Sequence, residues 1–468
     1  MAAAEVTATP LPSGTPQSAS TAWPAFWIAC SAVFLVSLDT TMLFAAFDAL
    51  RHSFEGTSAA ELSWVLNGYT VVYAAMLIPA GGLADAHGRR RIFRLGVALF
   101  VAASAACGAA PSVGWLIAAR VLQAIGAALL TPASMAIVLA AFPSERRAVA
   151  VSLWGAVGGL AAAVGPSLGS WVTAQAGWPW AFYINVPIGV WALWRSASRV
   201  EEAVKPSQRR RIDFVGLLLL MVAVGAMALA IVESGSPSWS TRQVGAVAGG
   251  GLLAGLLFVL WARVYSAPLV ELALFRHRTY RYVNAATLTF GTAFAMMFLG
   301  FFFFMTGVWH YTLPQAGLAV TPGPLLVMPT AIVTGRLAAR WGHRPFLVGG
   351  SLLYACSTLW FLGVPGTQAD YLQQWLPGLL MSGIAVGLVL PSLSAAAVNK
   401  LPTEHYAVGS AVNQATRQIG SVLGVAITVS MLGHAGLTRA DFNPFYVLHA
   451  VLALATAMLC LPVNTKPQ

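Results

Sequence analysis

Charge is scarce in this chain. Only 9% of its 468 residues are Asp, Glu, Lys or Arg, whereas soluble domains carry roughly 25%, which excludes a water-soluble fold of this length. Cysteine is rarer still: Cys30, Cys107, Cys356 and Cys460 fall within or at the ends of apolar stretches, without the spacing of a disulfide framework or a zinc site. No Gly-rich phosphate loop, HExxH or GxSxG element occurs and the eight histidines are dispersed, so nothing points to a catalytic centre, a bound metal or an organic cofactor. Acids are outnumbered by bases, 15 to 26. Nucleic-acid binding would need the excess on one continuous face with interleaved aromatics, and here it is scattered through short loops.

What is present is apolar surface: 58% of the residues are hydrophobic and the mean hydropathy is +0.74. Apolar stretches of about twenty residues separated by short polar loops mark an all-α polytopic membrane protein. Fourteen spans are expected, beginning near Trp23, Leu62, Ile92, Ser112, Ala148, Trp180, Phe214, Val244, Tyr282, Gly317, Phe346, Tyr371, Tyr406 and Phe445. With the N-terminus inside, the cytoplasmic loops collect twenty Lys and Arg, among them Arg89, Arg90, Arg91, Arg209, Arg210 and Arg211. The outer loops hold only Arg51, Arg242 and Arg439. This positive-inside asymmetry places both termini in the cytoplasm. Residues 1–22, rich in Ala, Thr, Ser and Pro, lack a basic n-region and read as a disordered cytoplasmic tail, not a cleavable signal peptide.

An internal repeat organises the spans. "GGLADAHGRRR" (81–91) closes the second and "GRLAARWGHRP" (335–345) the tenth, with Leu83, Ala84, Gly88 and Arg90 opposite Leu337, Ala338, Gly342 and Arg344. Two six-helix bundles, 23–198 and 282–465, therefore flank basic linkers and two extra central helices at 199–281. Repeated helical halves are the architecture of secondary transporters, with the site near the midplane between them.

The motifs resemble those of the major facilitator superfamily and, within it, the fourteen-span drug:proton antiporter group. "SLDTT" in the first span, "GGLADAHGRRR" in the loop, "RVLQAIG" (120–126), "GPSLGSW" (165–171) and "WPWAFYINVPIG" (178–189) follow that group's order over nearly the whole chain after residue 24. The departures are Phe44 and Asp48 in the first-span motif, Ala86 and Ala124 where a basic residue and Gly are usual, and Ala339 opposite Asp85; they bear on substrate class. The resemblance implies a monomeric multidrug efflux permease of a bacterial cytoplasmic (inner) membrane, energised by the proton gradient and without a cofactor. A dedicated metabolite or siderophore exporter, or a non-transporting sensor with the same fold, is the alternative.

Asp39 is the one acid placed deep in a span. It lies about 22 Å along the first helix, and Arg120 about 12 Å from the outer end of the fourth, so both sit at comparable depth. Either they form a permanent ion pair that fixes packing, or protonation of Asp39 releases Arg120 and switches the bundle; the resemblance implies proton coupling at both positions. Arg417, about 17 Å into span thirteen, shares a face with Asn413, and is either an interhelical contact or a cavity cation. In the loop, Gly81 and Gly82 would allow close helix approach, with Asp85, Gly88, Arg89 and Arg90 forming a cytoplasmic gate. Gly165, Pro166 and Gly169 thin and kink the fifth span, and the resemblance identifies them as its antiporter motif. With few deep carboxylates, aromatics remain to hold cargo: Trp64, Tyr69 and Tyr73 in span two, and Phe301 in "FLGFFFFMTGVWH" (298–310), roughly half of whose phenylalanines should meet lipid or other helices. Trp64, Tyr69, Phe301, Asn413 and Arg417 are thus the expected substrate contacts, for hydrophobic neutral, anionic or monovalent compounds.

Overall fold

The computed structural model describes residues 19–142, 144–200, 212–234, 238–399, 401 and 406–465. Most of the expected tail and of the 199–211 linker, and the side chain of Asp85, lie outside the described residues. The first bundle contains α1 (Ala19–Ser53), α2 (Ala59–His87), α3 (Arg89–Gly108), α4 (Val113–Ala141), α5 (Ser144–Ala176), a one-turn α6 (Trp180–Tyr183) and α7 (Asn185–Arg199). The pair α8 (Phe214–Glu233) and α9 (Thr241–Val264) follows. The second bundle holds α10 (Arg278–Gly307), α11 (Leu313–Val320), α12 (Pro322–Trp341), α13 (Arg344–Gly363), α14 (Leu376–Val398), α15 (Tyr406–Leu432) and α16 (Phe442–Cys460).

Side-chain caps start several of these helices where backbone N–H groups would otherwise be orphaned. Ser58 accepts from Glu61 N and Ser112 from Trp115 N. Ser240 with Gln243, and Thr312 with Gln315, form full capping boxes. The two repeat loops share a device that only glycine supplies easily: Gly88 (φ 97°) and Gly342 (φ 75°) end α2 and α12, each N–H bonding the carbonyl four residues back.

Twelve segments among the described residues are long and apolar enough to cross a membrane. The two other expected spans coincide with α5 and with the interrupted α6–α7, whose longer piece has only 15 residues. The chain is all-helical, as expected, and α1 begins at Ala19, inside the stretch expected to be a disordered tail. Within the phenylalanine run, only Phe298 and Phe301 line the cavity between the bundles and the others meet helices, in line with the expectation for about half of them. Phe298, Phe301, Phe302, Phe303 and Phe304 are all buried, because α10 is enclosed by α14, α15 and α16 and, at its far end, touches α1.

The pair α8–α9 packs mostly through α8, against α2 and α15. Its outer faces carry Leu218, Leu252, Leu256 and Leu260, all exposed, as lipid-facing positions should be. At the arginine-rich end Asp213 is buried and fully used, accepting from Gly216 N at 2.8 Å, Trp261 Nε1 at 2.8 Å and Leu269 N at 2.9 Å. It ties the start of α8 to the end of α9 and to the strand of linker leading into α10.

Candidate functional site

A cavity of about 1880 Å³ lies between the bundles. Its walls come from α1, α2, α4 and α5 on one side and α10, α12, α14 and α15 on the other, and it reaches His87, Arg89, Asp213 and Val398 at the arginine-rich end. The opposite end is closed by contacts across the bundles. Phe44 stacks on Phe298 with ring centroids 6.0 Å apart, and Phe47 meets Phe303 edge-on at 6.1 Å.

Gly165 and Gly169 seat α5 within the first bundle, and α5 in turn meets the second. A Cβ on Gly165 would lie 1.9 Å from Thr41 Oγ1, and one on Gly169 2.8 Å from Met42 Cα, so α5 presses directly on α1. On the other side of α5, a Cβ on Gly317 of α11 would fall 1.8 Å from Ser170 Oγ and 2.6 Å from the Pro166 carbonyl. Small residues let two backbones meet, and here they join the bundles. In the loop motif the expected close approach is absent: a Cβ on Gly81 would meet only Pro132 Cβ at 3.8 Å and one on Gly82 nothing within 4 Å. Both glycines line the open mouth, where the helix ends stand apart. Arg89 donates to the Ala136 carbonyl at 3.1 Å and Arg90 to the Val200 carbonyl at 3.2 Å, bracing the loop against the ends of α4 and α7.

Asp39 and Arg120 meet as their matching depths suggested. Arg120 Nη1 donates to Asp39 Oδ2 at 2.6 Å, and both side chains are 1% exposed. Asp39 Oδ1 accepts from Gln123 Nε2 at 2.8 Å and from Asn185 Nδ2 at 2.9 Å. Arg120 further donates Nε to the Val65 carbonyl at 3.0 Å and Nη1 to Gln123 Oε1 at 2.5 Å, and its guanidinium lies 3.9 Å from the Tyr69 ring centroid. Gln123 Nε2 also donates to Ser104 at 2.8 Å. Five helices, α1, α2, α3, α4 and α7, thereby join in one network around the carboxylate. Gln123 and Asn185 were visible in the sequence only as polar letters inside two motifs; the three-residue step from Arg120 to Gln123 was the one positional signal.

This cluster does not line the cavity. Thr40 and Tyr73 do, while Asp39, Arg120 and Tyr69 sit behind them. Among the expected substrate contacts, Phe301 and Arg417 line the wall. Trp64 instead faces α8, with its ring 3.8 Å from a Cβ placed on Gly225. Tyr69 is spent on Arg120, and Asn413 donates to Asn284 at 3.2 Å and Thr287 at 2.9 Å in the α10–α15 seam. Glu233 is buried at the end of α8. Tyr73 and Gln414, which do line the cavity, complete its polar wall beside Arg417.

The profile of the Major Facilitator Superfamily matches residues 29–425 and 285–468. Multidrug resistance protein Stp of Mycobacterium tuberculosis is 32% identical over 401 residues, covering 86% of this chain and 74% of its own. Methylenomycin A resistance protein of Bacillus subtilis is 31% identical over 437 residues, 91% of each chain. The crystal structure of a D-xylose-proton symporter superposes with a TM-score of 0.68 at 13% identity, over 96% of this chain and 98% of its own; that likeness is one of fold.

Proposed function

This chain belongs to the Major Facilitator Superfamily, and from that premise we propose that it is a proton-coupled antiporter exporting hydrophobic compounds across a bacterial cytoplasmic membrane by alternating access. It is a multi-pass membrane transporter with relatives named for multidrug and methylenomycin A resistance. The reading takes α5 and α6–α7 as crossing helices, giving fourteen spans with both termini on the arginine-rich, cytoplasmic side. The cavity opens to that side and is shut on the other, so the conformation is inward-facing.

One observation carries the coupling: a carboxylate with an arginine, two amide donors and no exposure, in the bundle that supplies half the cavity wall. A charge so placed costs several kcal/mol unless paired, and a proton can replace the pair. With Asp39 protonated, Arg120 keeps the Val65 carbonyl, Gln123 Oε1 and the Tyr69 face, so both protonation states are tolerable. The two states pull differently on α1 and α4, which are also cavity walls. Only such a difference lets a proton bias the inward and outward forms. In the gate, Asp85 with Arg89 and Arg90 would hold the cytoplasmic ends together in the outward-open form, while Gly317 against Ser170 and the Pro166 carbonyl holds the outer ends together in this one, with Gly165 and Gly169 seating α5 on α1.

Asp39→Asn mimics the protonated carboxyl and is the test. It should reduce pH-gradient-driven export in proteoliposomes to the passive leak while the protein still elutes as a folded particle in detergent. Export that survives with unchanged pH dependence would remove the coupling role. A chemically diverse substrate panel in the same vesicles separates a broad pump from a dedicated exporter.

A further inference from the structure

Arg417 is the one deep cation whose charge the described residues leave unanswered. Its Nε is buried without a hydrogen-bond partner, and the described ion pairs are Asp39–Arg120 and Asp48–His52. The acids on the cavity lining are Asp213, whose oxygens are occupied by three donors at the mouth, and Glu271 beside it. Both stand in the segments that flank the central helix pair, at the start of α8 and after α9, and not on α2 or α15.

The backbone holds Arg417 there. A Cβ on Gly291 would fall 2.7 Å from the Arg417 carbonyl, and Cβ atoms on Gly420 and Gly424 would fall 2.5 Å and 2.3 Å from carbonyls of α10. With α15 seated on α10 this tightly, the guanidinium has the cavity to point into. Facing it from α2 is the Tyr73 hydroxyl, which is hydrogen-bonded to Thr131 at 3.0 Å. Gln414, one turn earlier on α15, also adjoins that hydroxyl. Arg417 and Gln414 offer N–H donors at one polar spot, and the Tyr73 O–H, now given to Thr131 because the Thr131 hydroxyl donates to the Ala127 carbonyl, has the same spot to turn to when an anion arrives; a guanidinium fork suits a planar or tetrahedral oxyanion. Beside it the same cavity presents Phe44, Phe294, Phe298 and Phe301, with Phe294 and Phe298 in edge contact at 5.1 Å.

We propose that Arg417, Tyr73 and Gln414 form an oxyanion subsite, so that the preferred cargo is an aromatic monoanion with its acid group on Arg417 and its ring among the phenylalanines. This rests on the efflux reading above and narrows it. A cationic amphiphile placed in the same cavity meets an unbalanced positive charge; a carboxylate or sulfonate relieves it. Tyr73 and Arg417 come from opposite bundles, so an anion gripping both stabilises the arrangement that brings them together, which ties occupancy to conformation.

The probes are 2-naphthalenesulfonate and 2-naphthyltrimethylammonium, which share a ring system and differ in charge. Titration calorimetry on the purified, detergent-solubilised protein should show at least tenfold tighter binding of the sulfonate. Arg417→Gln should erase that preference and Arg417→Lys should keep most of it. Should the Gln variant not fold, Tyr73→Phe, which deletes only a hydroxyl, should still lower the preference severalfold. Equal affinities in the unmodified protein, or a preference that Arg417→Gln leaves intact, overturn the subsite. Efflux is read separately, as pH-driven uptake of each probe into inverted proteoliposomes. Sulfonate bound but neither probe transported would sink the efflux reading and leave the subsite standing; ammonium transported and sulfonate neither bound nor moved would do the reverse.

Discussion

Two arginines lie deep in the protein, one in each bundle, and they are treated oppositely. Arg120 has a carboxylate, a carbonyl, an amide oxygen and an aromatic face. Arg417 has a buried Nε with no acceptor. Burying a charge is tolerable when partners replace water, and otherwise something must arrive to do so. The first arrangement stores charge inside one bundle, away from cargo; the second presents charge to the cavity. On the proposed reading, ion coupling and cargo recognition fall to different bundles.

The sharpest way to break this comparison is to delete each cation in turn. Arg120→Leu strands the Asp39 carboxylate among apolar neighbours, and losing one partner of a buried pair costs about 3–5 kcal/mol. Arg417→Leu removes a charge that has no partner, so its stability should be unchanged or higher. Thermal unfolding in one detergent checks both. Equal losses would mean that Arg417 has a partner after all and that the contrast is false.

Charge movement is the second lever. If Asp39 is the sole coupling acid, one proton enters per cycle. Exporting a monoanion then moves two charges across the membrane, and exporting a monocation moves none. A tenfold potassium gradient clamped with valinomycin should therefore change the limiting gradient of the sulfonate about a hundredfold and leave that of the ammonium probe unchanged, each charge responding to the potential in full. A potential-dependent ammonium gradient would require a second proton site.

How much of this could be read from the sequence depends on whether position along a helix or rotation about it was needed. Position was legible. Counting 1.5 Å per residue put Asp39 and Arg120 at one depth, and they meet; aligning the loops put Gly88 opposite Gly342, and both adopt positive φ. Rotation was not. Trp64, Tyr69 and Tyr73 share α2, yet Trp64 faces α8, Tyr69 lies under Arg120 and only Tyr73 reaches the cavity. Composition says that aromatics are present on a helix but not which neighbour each will face. Asn185 was hidden for a related reason: it opens α7 just after the break at Ile184, and no periodicity aims a side chain across such a break. Within the phenylalanine run, contact with lipid or other helices was expected for about half of the rings, and the packing around α10 makes it contact with helices.

The outer closure gives a smaller effect. Gly317→Ala inserts a Cβ where Ser170 Oγ and the Pro166 carbonyl already stand. Overpacking costs about 1–3 kcal/mol, and about 1.4 kcal/mol is a tenfold change in the ratio of the two forms. A single cysteine introduced at Phe298 in a cysteine-free background should become labelled from outside about ten times faster in the Gly317→Ala protein. Unchanged labelling would mean that α5 and α11 separate without hindrance and that the closure lies elsewhere, in the Phe47–Phe303 contact.

The smallest effect concerns cations alone. No carboxylate lines the inner part of the cavity among the described residues, and Asp39 is already neutralised behind Thr40 and Tyr73. A dication must leave water with two charges and meet Arg417, where a monocation brings only one. Each unpaired charge in a low-dielectric space is penalised by several kcal/mol before solvent relaxes the cost, and an open, wet mouth relaxes most of it. Matched monovalent and divalent quaternary ammonium compounds competing for pH-driven uptake in inverted vesicles should therefore differ only about threefold to tenfold, the divalent member being weaker. Equal or stronger inhibition by the dication would place an accessible carboxylate in its path, with Glu233 at the end of α8 and Asp48 near the end of α1 the first positions to replace.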